Sequence, residues 1–541
     1  MQIRRPFQTW VLAFLCALSP TSAGAIGGRT IYVDDNAAGA QDGSSWVCAF
    51  PYLQDALAVA KSGDEIRVAQ GEYRPDRGSG HAAGDRHATF AVPDGVTLQG
   101  GFAGVGAADP DGRDVALFAT ILTGDLAGND DSNERTTFFD NSTHVVTTSE
   151  ASNGAVLDGL TLAHGYDRDR GGNGLSHQGA SLVVRGCTFL SNQTGGGKGG
   201  GISNGTGYLR LENCRFLRNY GDAGAGALCN QGGTVQVIDC QFTENSAHEG
   251  AGAVENVDGN VDLFHCLCQG NHVSEGTGAI ASSGALRLLY CTFVDNHGGE
   301  ENGALFLGGS AVVAHCLFCR NTAGNTGAIY VGSTSVRLHQ CTFYANVSTD
   351  SGVGAVSCRR ASWSTLPAGS FQARGCIFWA NGAWRETDEG GDRLMTGYRE
   401  QIDGDPNAAT LAYCCVQGWT PDRGGTGNLG TDPLFVAVDQ NDFHLQSQAG
   451  HWDGEALAWV LDDVTSPGID AGDPNAPVEY EPFPNGGHVN LGVYGGTCEA
   501  SKSWFGVAPA PAPQAADLNG DGRVDAEDYR LATLRWPPVY E

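Results

Sequence analysis

Cys187-Thr-Phe189-Leu-Ser-Asn192 recurs as Cys214-Arg-Phe216-Leu-Arg-Asn219, Cys240-Gln-Phe242-Thr-Glu-Asn245, Cys291-Thr-Phe293-Val-Asp-Asn296, Cys316-Leu-Phe318-Cys-Arg-Asn321, Cys341-Thr-Phe343-Tyr-Ala-Asn346 and Cys376-Ile-Phe378-Trp-Ala-Asn381. At Cys266 the aromatic position holds Cys268, and Asn271 keeps its place. From Cys187 to Cys341 the steps are 27, 26, 26, 25, 25 and 25 residues, and a 35-residue step with room for one insertion leads to Cys376. Three and five residues before the cysteines lie apolar pairs: Leu182/Val184, Leu209/Leu211, Val235/Val237, Val261/Leu263, Leu286/Leu288, Ala311/Val313 and Val336/Leu338. Arg210, Gln236, Asp262, Arg287 and Arg337 sit between them, which is the period-2 alternation of a strand with one wet face. A further strand starts at Gly226-Ala227-Leu228 and at its equivalents Gly252, Gly278, Gly303 and Gly327. Three short strands and three turns in each 25–27-residue unit make one coil of an all-β solenoid. The expected architecture is a right-handed parallel β-helix, with the hand following the usual crossover preference.

Stacking coils about 4.8 Å apart turns each repeat position into a column. The cysteines then point inward as small apolar side chains beside stacked phenylalanines, and the asparagines bond across a turn to the neighbouring coil. Column thiols are close enough to bridge but rarely meet the torsion a disulfide needs. Cys48, Cys229, Cys358, Cys414, Cys415 and Cys498 lie off the column and are the candidates for a real bridge. Cys266-x-Cys268 and Cys316-x-x-Cys319 lack a second pair at zinc-like spacing.

The rest of the 541-residue chain fits around this stack. Arg4 and Arg5, the apolar run Trp10 to Leu18 and Ala23-Gly24-Ala25 read as an export signal over 1–25. Residues 26–95 supply an N-terminal cap and first coils: a helix at Pro51 to Lys61, stopped by Gly63, with Glu65 to Ala69 as the first strand. The β-helix proper occupies 96–381, and 382–505 forms C-terminal coils and a cap that closes the other end. A Pro/Ala linker at 506–516 leads to a compact acidic segment, 517–536.

Composition sets outer limits on function. Lysine plus arginine number 31 against 61 acids, a net charge of −30, which excludes nucleic acid and simple attraction to anionic lipid. No apolar run is long enough to span a membrane. The expected location is secreted, extracellular or cell-surface.

Several short segments resemble a known group. Ile31-Tyr32-Val33-Asp34, Asp42-Gly43-Ser44-Ser45-Trp46, Leu53-Gln54-Asp55-Ala56-Leu57 and Gly63-Asp64-Glu65-Ile66 resemble the openings of exported bacterial parallel β-helix proteins. The repeats are similar to those of the pectin-lyase-like superfamily and of polymorphic outer-membrane proteins. Asp432-Pro433-Leu434-Phe435, Ser466-Pro467-Gly468-Ile469-Asp470-Ala471-Gly472 and Leu491-Gly492-Val493-Tyr494-Gly495-Gly496 resemble the choice-of-anchor β-helix family. What this resemblance implies is a surface or extracellular location, not a reaction; an extracellular polysaccharide or cell-envelope component is the expected partner. For an enzyme of the superfamily it implies Asp clusters in a hydrolase, or Ca²⁺ with a Lys or Arg base in a lyase. Lys198, in Gly195-Gly-Gly-Lys198-Gly-Gly-Gly201, is the one lysine on the repeats.

Two places offer site chemistry. Asp517-Leu-Asn519-Gly-Asp521-Gly522-Arg523-Val-Asp525-Ala-Glu-Asp528 matches a 12-residue EF-hand-like calcium loop. Asp517, Asn519, Asp521, Asp525 and Asp528 supply side-chain oxygens, Arg523 its carbonyl, and Gly522 the turn; the expected cofactor is Ca²⁺. With Tyr529 to Arg535 following, the segment resembles a type I dockerin repeat, which implies a cohesin-like partner; one repeat is present where a dockerin carries two. The second place is a column of Glu249, Glu275 and Glu300 with His248, His272 and His297 in the same turns. Stacked carboxylates about 5 Å apart have the spacing of a retaining glycosidase pair, or of a calcium site. The alternative is a solvated turn that tolerates acids. The chain therefore reads as a structural or carbohydrate-binding β-helix protein with a calcium module, with a polysaccharide lyase or glycoside hydrolase as the alternative.

Overall fold

The computed structural model describes residues 28–504 except 131–134, 151, 333, 351, 359–368, 387–391, 404–408 and 479. The segments expected to be an export signal, a linker and a calcium loop lie outside the described residues. Three parallel sheets of 13, 12 and 11 strands run the length of a β-helix, one strand from each per coil. A fourth flank carries shorter sheets of five and four strands.

The columns form because the repeat holds register. In the 13-stranded sheet Leu209, Val235, Val261, Leu286, Ala311 and Val336 are successive partners, and all are buried. In the 12-stranded sheet Phe189, Phe216 and Phe242 stack at 4.7 Å with rings nearly parallel, and Phe293, Phe318, Phe343 and Phe378 stack at 4.7–4.9 Å. Cys268 interrupts the stack. The column thiols are buried and unbridged, each donating to the carbonyl two residues earlier, as from Cys291 Sγ to Leu289 O at 3.3 Å. Burial pushes the thiols of Cys187, Cys240, Cys266, Cys316 and Cys376 well above the usual range. Cys414 belongs to this column, next to Cys376, rather than off it.

The asparagines build a continuous buried ladder. Asn192, Asn219, Asn245, Asn271, Asn296, Asn321, Asn346 and Asn381 are linked Nδ2 to Oδ1 at 2.8–3.1 Å. Each also donates to a main-chain carbonyl one coil back, as Asn296 Nδ2 does to Cys268 O at 2.9 Å. A second ladder, Asn204 to Asn230 to Asn256 to Ser282, runs along the 11-stranded sheet at 2.8–3.0 Å. Corners beside the Phe strands are left-handed: Asn213, Asp239, His265, Tyr290, His315 and Gln340 before them, and Ser191, Arg218, Glu244, Asp295 and Arg320 after them, have φ of 49–56°. Such residues are strained outside glycine. Inter-coil bonds hold them, for example Asp239 N to Phe264 O at 3.1 Å and Glu244 N to Gln269 O at 3.0 Å.

Both ends differ from the sequence expectation. The helix spans Leu53–Val59 and buries Leu53, Ala56 and Leu57. The first strand is not Glu65–Ala69 but Thr30–Val33, which pairs with it in parallel across the helical crossover. At the other end Ile402–Asp403, Ala409–Ala412 and Cys415–Val416 add one strand to each of the three long sheets, and Thr426 and Leu429 add single bridges to Ala412 and Cys415. The chain from 431 to 503 then folds back along the side. Phe443, Val493 and Tyr494 pack on Leu267, Val294, Leu317 and Cys319, while Leu445 and Leu491 pack on Ile377 and Cys415. Val493 N donates to Thr342 Oγ1 at 3.0 Å and Gln340 Nε2 to Asn490 O at 2.9 Å. Gly492 permits this approach: its φ is +86°, and a Cβ there would lie 2.8 Å from Ile377 Cδ1. This segment is a side strap, because the outer face it covers is apolar. No helix among the described residues is long and apolar enough to cross a membrane.

Candidate functional site

The glutamate column lies on the five-stranded flank. Ser246–Ala251 and His272–Thr277 pair in parallel there, with Glu249 opposite Glu275 and Ala223 opposite Glu249. Adjacent parallel strands put the two glutamates about 4.8 Å apart at the backbone. Both are exposed. Glu300 does not join them: an isolated antiparallel bridge sets Gly299, not Glu300, against Glu275. Loop length is not the reason, since each glutamate follows its column cysteine by nine residues. Gly298-Gly299 bends the chain instead, Gly299 standing at φ +52°. Glu300 is exposed on the far side of that bend.

The histidines also separate. His272 and His297 are register partners whose rings stack at 5.0 Å and 5°. Burial, and then the neighbouring His272, hold His297 below the usual imidazole range, and its Nδ1 meets Thr322 Oγ1 at 2.9 Å. His248 lies in another row, since the register of its neighbours sets it opposite Ser274. The column thus reduces to Glu249 and Glu275 with a histidine pair at one end of the second strand.

Lys198 stands beside this flank. The Gly195–Gly201 loop presents it to Glu255, with Nζ to Oε1 at 3.5 Å. Gly224 forms the seat: a Cβ there would lie 2.8 Å from both Glu255 Oε2 and Lys198 Cγ. Gly224 pairs with Gly250, the residue after Glu249, so the ion pair and the glutamates share one surface. Glu255 escaped the sequence reading because it sits mid-strand in Val254-Glu255-Asn256 with no repeat partner; Cys229 and Ala281 flank it in register. Three arginines of the coils are committed as well. Arg210 bonds Glu212, Arg287 bonds Asp262, and Arg320 bonds Asp295. A separate shallow cleft of about 690 Å³ lies at the turn between the 11- and 13-stranded sheets, lined by Glu150, Gln178, Thr206, Tyr208 and Thr234.

A family model described as "Disaggregatase related" matches residues 411–472, the last coil and the first half of the strap. Similar solved structures include pectate lyase Pel9A, at TM-score 0.42 and 12% identity over 87% of this chain and 97% of that one. A rhamnogalacturonan lyase is similar at TM-score 0.38 and 11% identity, over 81% and 97% of the two chains. No curated protein matches the sequence.

Proposed function

We propose that the chain is an extracellular or cell-surface β-helix protein that serves as a structural or carbohydrate-binding element, carrying a calcium-binding module at 517–528. The observation that carries this reading is the state of the flank's charges. The lysine that a lyase would use as base is engaged by Glu255, and Arg210, Arg287 and Arg320 are engaged by neighbouring carboxylates. The third glutamate is turned out of the column. What remains is an exposed polar face with hydrogen-bonding side chains at about 4.8 Å intervals, suited to an extended polar polymer rather than to a buried reacting bond. Neutral polysaccharide fits this face better than a polyuronate, which the −30 charge would repel unless calcium bridged it.

One observation favours the enzymatic alternative: Glu249 and Glu275 are true register partners, on backbones spaced at about 4.8 Å, close to the roughly 5 Å carboxyl separation of a retaining pair. A glycan panel screened for both retention and cleavage separates the readings. Retention without cleavage supports the binding element. Cleavage by the parent that Glu275→Gln abolishes would assign a glycoside hydrolase, and neither retention nor cleavage would leave the structural role alone.

A further inference from the structure

The loop that leaves the 12-stranded sheet after Thr120–Thr123 brings three acids together outside the repeat. Carboxylate oxygens of Asp125, Asp130 and Asp140 all lie within 4.8 Å of one another. The arrangement is built rather than splayed. Asp125 is buried, and its Oδ1 accepts the main-chain N–H of Gly128 at 2.7 Å and of Asn129 at 3.2 Å, while Oδ2 accepts that of Asp130 at 3.2 Å. Asn129 Nδ2 fixes Asp140 through Oδ2 at 3.1 Å. Asn141 Nδ2 fixes Asp130 through Oδ2 at 2.9 Å.

The other oxygens of these groups are what point to a ligand. Asp130 Oδ1 and Asp140 Oδ1 are buried atoms with no hydrogen-bond donor. Asn141 is wholly buried and oriented by two bonds of its Nδ2, to Asp130 Oδ2 and to His164 O at 2.8 Å. Its own Oδ1, on the amide that touches the cluster, has no donor either. Buried acceptors are costly when unpaired, and converging carboxylates repel. Among the described residues no arginine, lysine or histidine side chain pairs with the three acids.

We propose that Asp125, Asp130, Asp140 and the amide oxygen of Asn141 bind a hard divalent cation, calcium, that ties this loop to the early coils. The donor set is all oxygen, of mixed carboxylate and amide type, which suits calcium's variable coordination better than a soft metal's. A cation there supplies the missing partner to three unpaired oxygens at once and neutralises the acids. It also cross-links the strand exit at Asp125 to the segment entering Val146–Thr148, because Asn141 is anchored on the next coil through His164 O. This site is separate from the loop at 517–528.

The test uses the full chain carrying Asp517→Ala, so that the C-terminal loop is silent, titrated with calcium chloride in a calorimeter after chelation. One calcium per chain is expected to bind. Adding Asp130→Asn and Asp140→Asn should weaken that binding on the order of 100-fold, because two of three charges are gone. Calcium should raise the thermal midpoint of the parent and leave that of the variant unchanged. In chelator the variant should melt no lower than its parent, since the substitutions relieve repulsion. Absence of calcium binding in the Asp517→Ala chain overturns the proposal, as does equal binding by both chains. A variant that unfolds in chelator where its parent is folded also overturns it, because the acids would then serve the fold without metal.

Discussion

Removing one rung of the asparagine ladder tests whether buried polar bonds or apolar stacking holds the coils in register. Asn296 sits mid-ladder and is fully buried. Its Oδ1 accepts Asn271 N at 3.1 Å and Asn271 Nδ2 at 2.9 Å, and its Nδ2 donates to Asn321 Oδ1 at 2.9 Å and Cys268 O at 2.9 Å. In Asn296→Ala four bonds go, but the losses are unequal. Asn271 Nδ2 keeps Phe242 O, and Asn321 Oδ1 keeps Asn296 N. The Asn271 main-chain N–H loses its partner in the dry interior, and Cys268 O loses the amide that bonded it. At about 1–3 kcal/mol per orphaned group, plus the smaller net loss of the other two bonds, the variant should lose about 3–5 kcal/mol. Cys291→Ala, one strand away in the same coil, removes a sulfur that makes only weak contacts and should cost on the order of 1 kcal/mol. Urea unfolding of both variants, with hydrogen exchange at the Asn271 amide, compares them directly. Because solenoid stability is nearly a sum over neighbouring coils, the exchange should speed up locally before global unfolding shifts. Equal costs for the two variants, or an Asn271 amide as protected as in the parent, would refute the reasoning.

Further outcomes are expected. The column thiols of Cys214, Cys240, Cys291, Cys316 and Cys341 should resist alkylation in the native chain and all react in denaturant; a mass map that linked any two of them would contradict the packing. Burial holds His315 down to about 3 and His339, with Arg374 next in effect, down to about 4. Both are neutral when folded, so the unfolded chain takes up their protons first, and stability is full above about pH 6.5 and falls below it. The loss should be on the order of 2 kcal/mol per imidazole at pH 5, visible in denaturant midpoints and smaller in His315→Gln. A peptide covering 515–541 should give calcium heat that Asp517→Ala abolishes, and calcium at that loop should leave the melting of the coils unchanged.

The stack was legible because its signal is redundant. Each Cys-x-Phe-x-x-Asn unit repeats at one spacing, and each residue type has a distinct reason to be buried in a column. The strap was not read from the sequence, which pointed to an end cap, although a signal for it lies outside the inward columns. On the outward side of the Phe strands Arg215, Gln241 and Thr243 give way to Leu267, Val294, Leu317, Cys319 and Ile377. That change from polar to apolar marks where solvent is replaced by Phe443, Leu445, Leu491 and Val493. The left-handed corners were not legible, because Tyr290 and Gln340 have no intrinsic preference for that region. Stacking imposes the conformation, and no local pattern records it. Thr30–Val33 was missed for a related reason: its partner lies beyond a helix, so only the crossover makes it the first strand.

The same reasoning explains why the repeat misdirects a search for chemistry. A column collects like residues by translation, and translation sets like charges side by side with nothing to converge on. Glu249 and Glu275 show this, being paired in register yet both facing solvent. Convergence needs chain segments that approach from different directions, and these exist only where the repeat breaks. The Gly124–Val145 segment is such a break: Asp125 leaves a strand, Asp130 closes the turn around its carboxylate, and Asp140 ends a short 3-10 helix spanning Arg135–Asp140. The three acids share no period with one another, so spacing alone could not join them. Asn141, held from the neighbouring coil, reaches one of them, Asp130, and Asp130, Asp140 and Asn141 each keep a buried oxygen without a donor. In a solenoid the repeats supply stiffness, and the interruptions are where ligands can be enclosed.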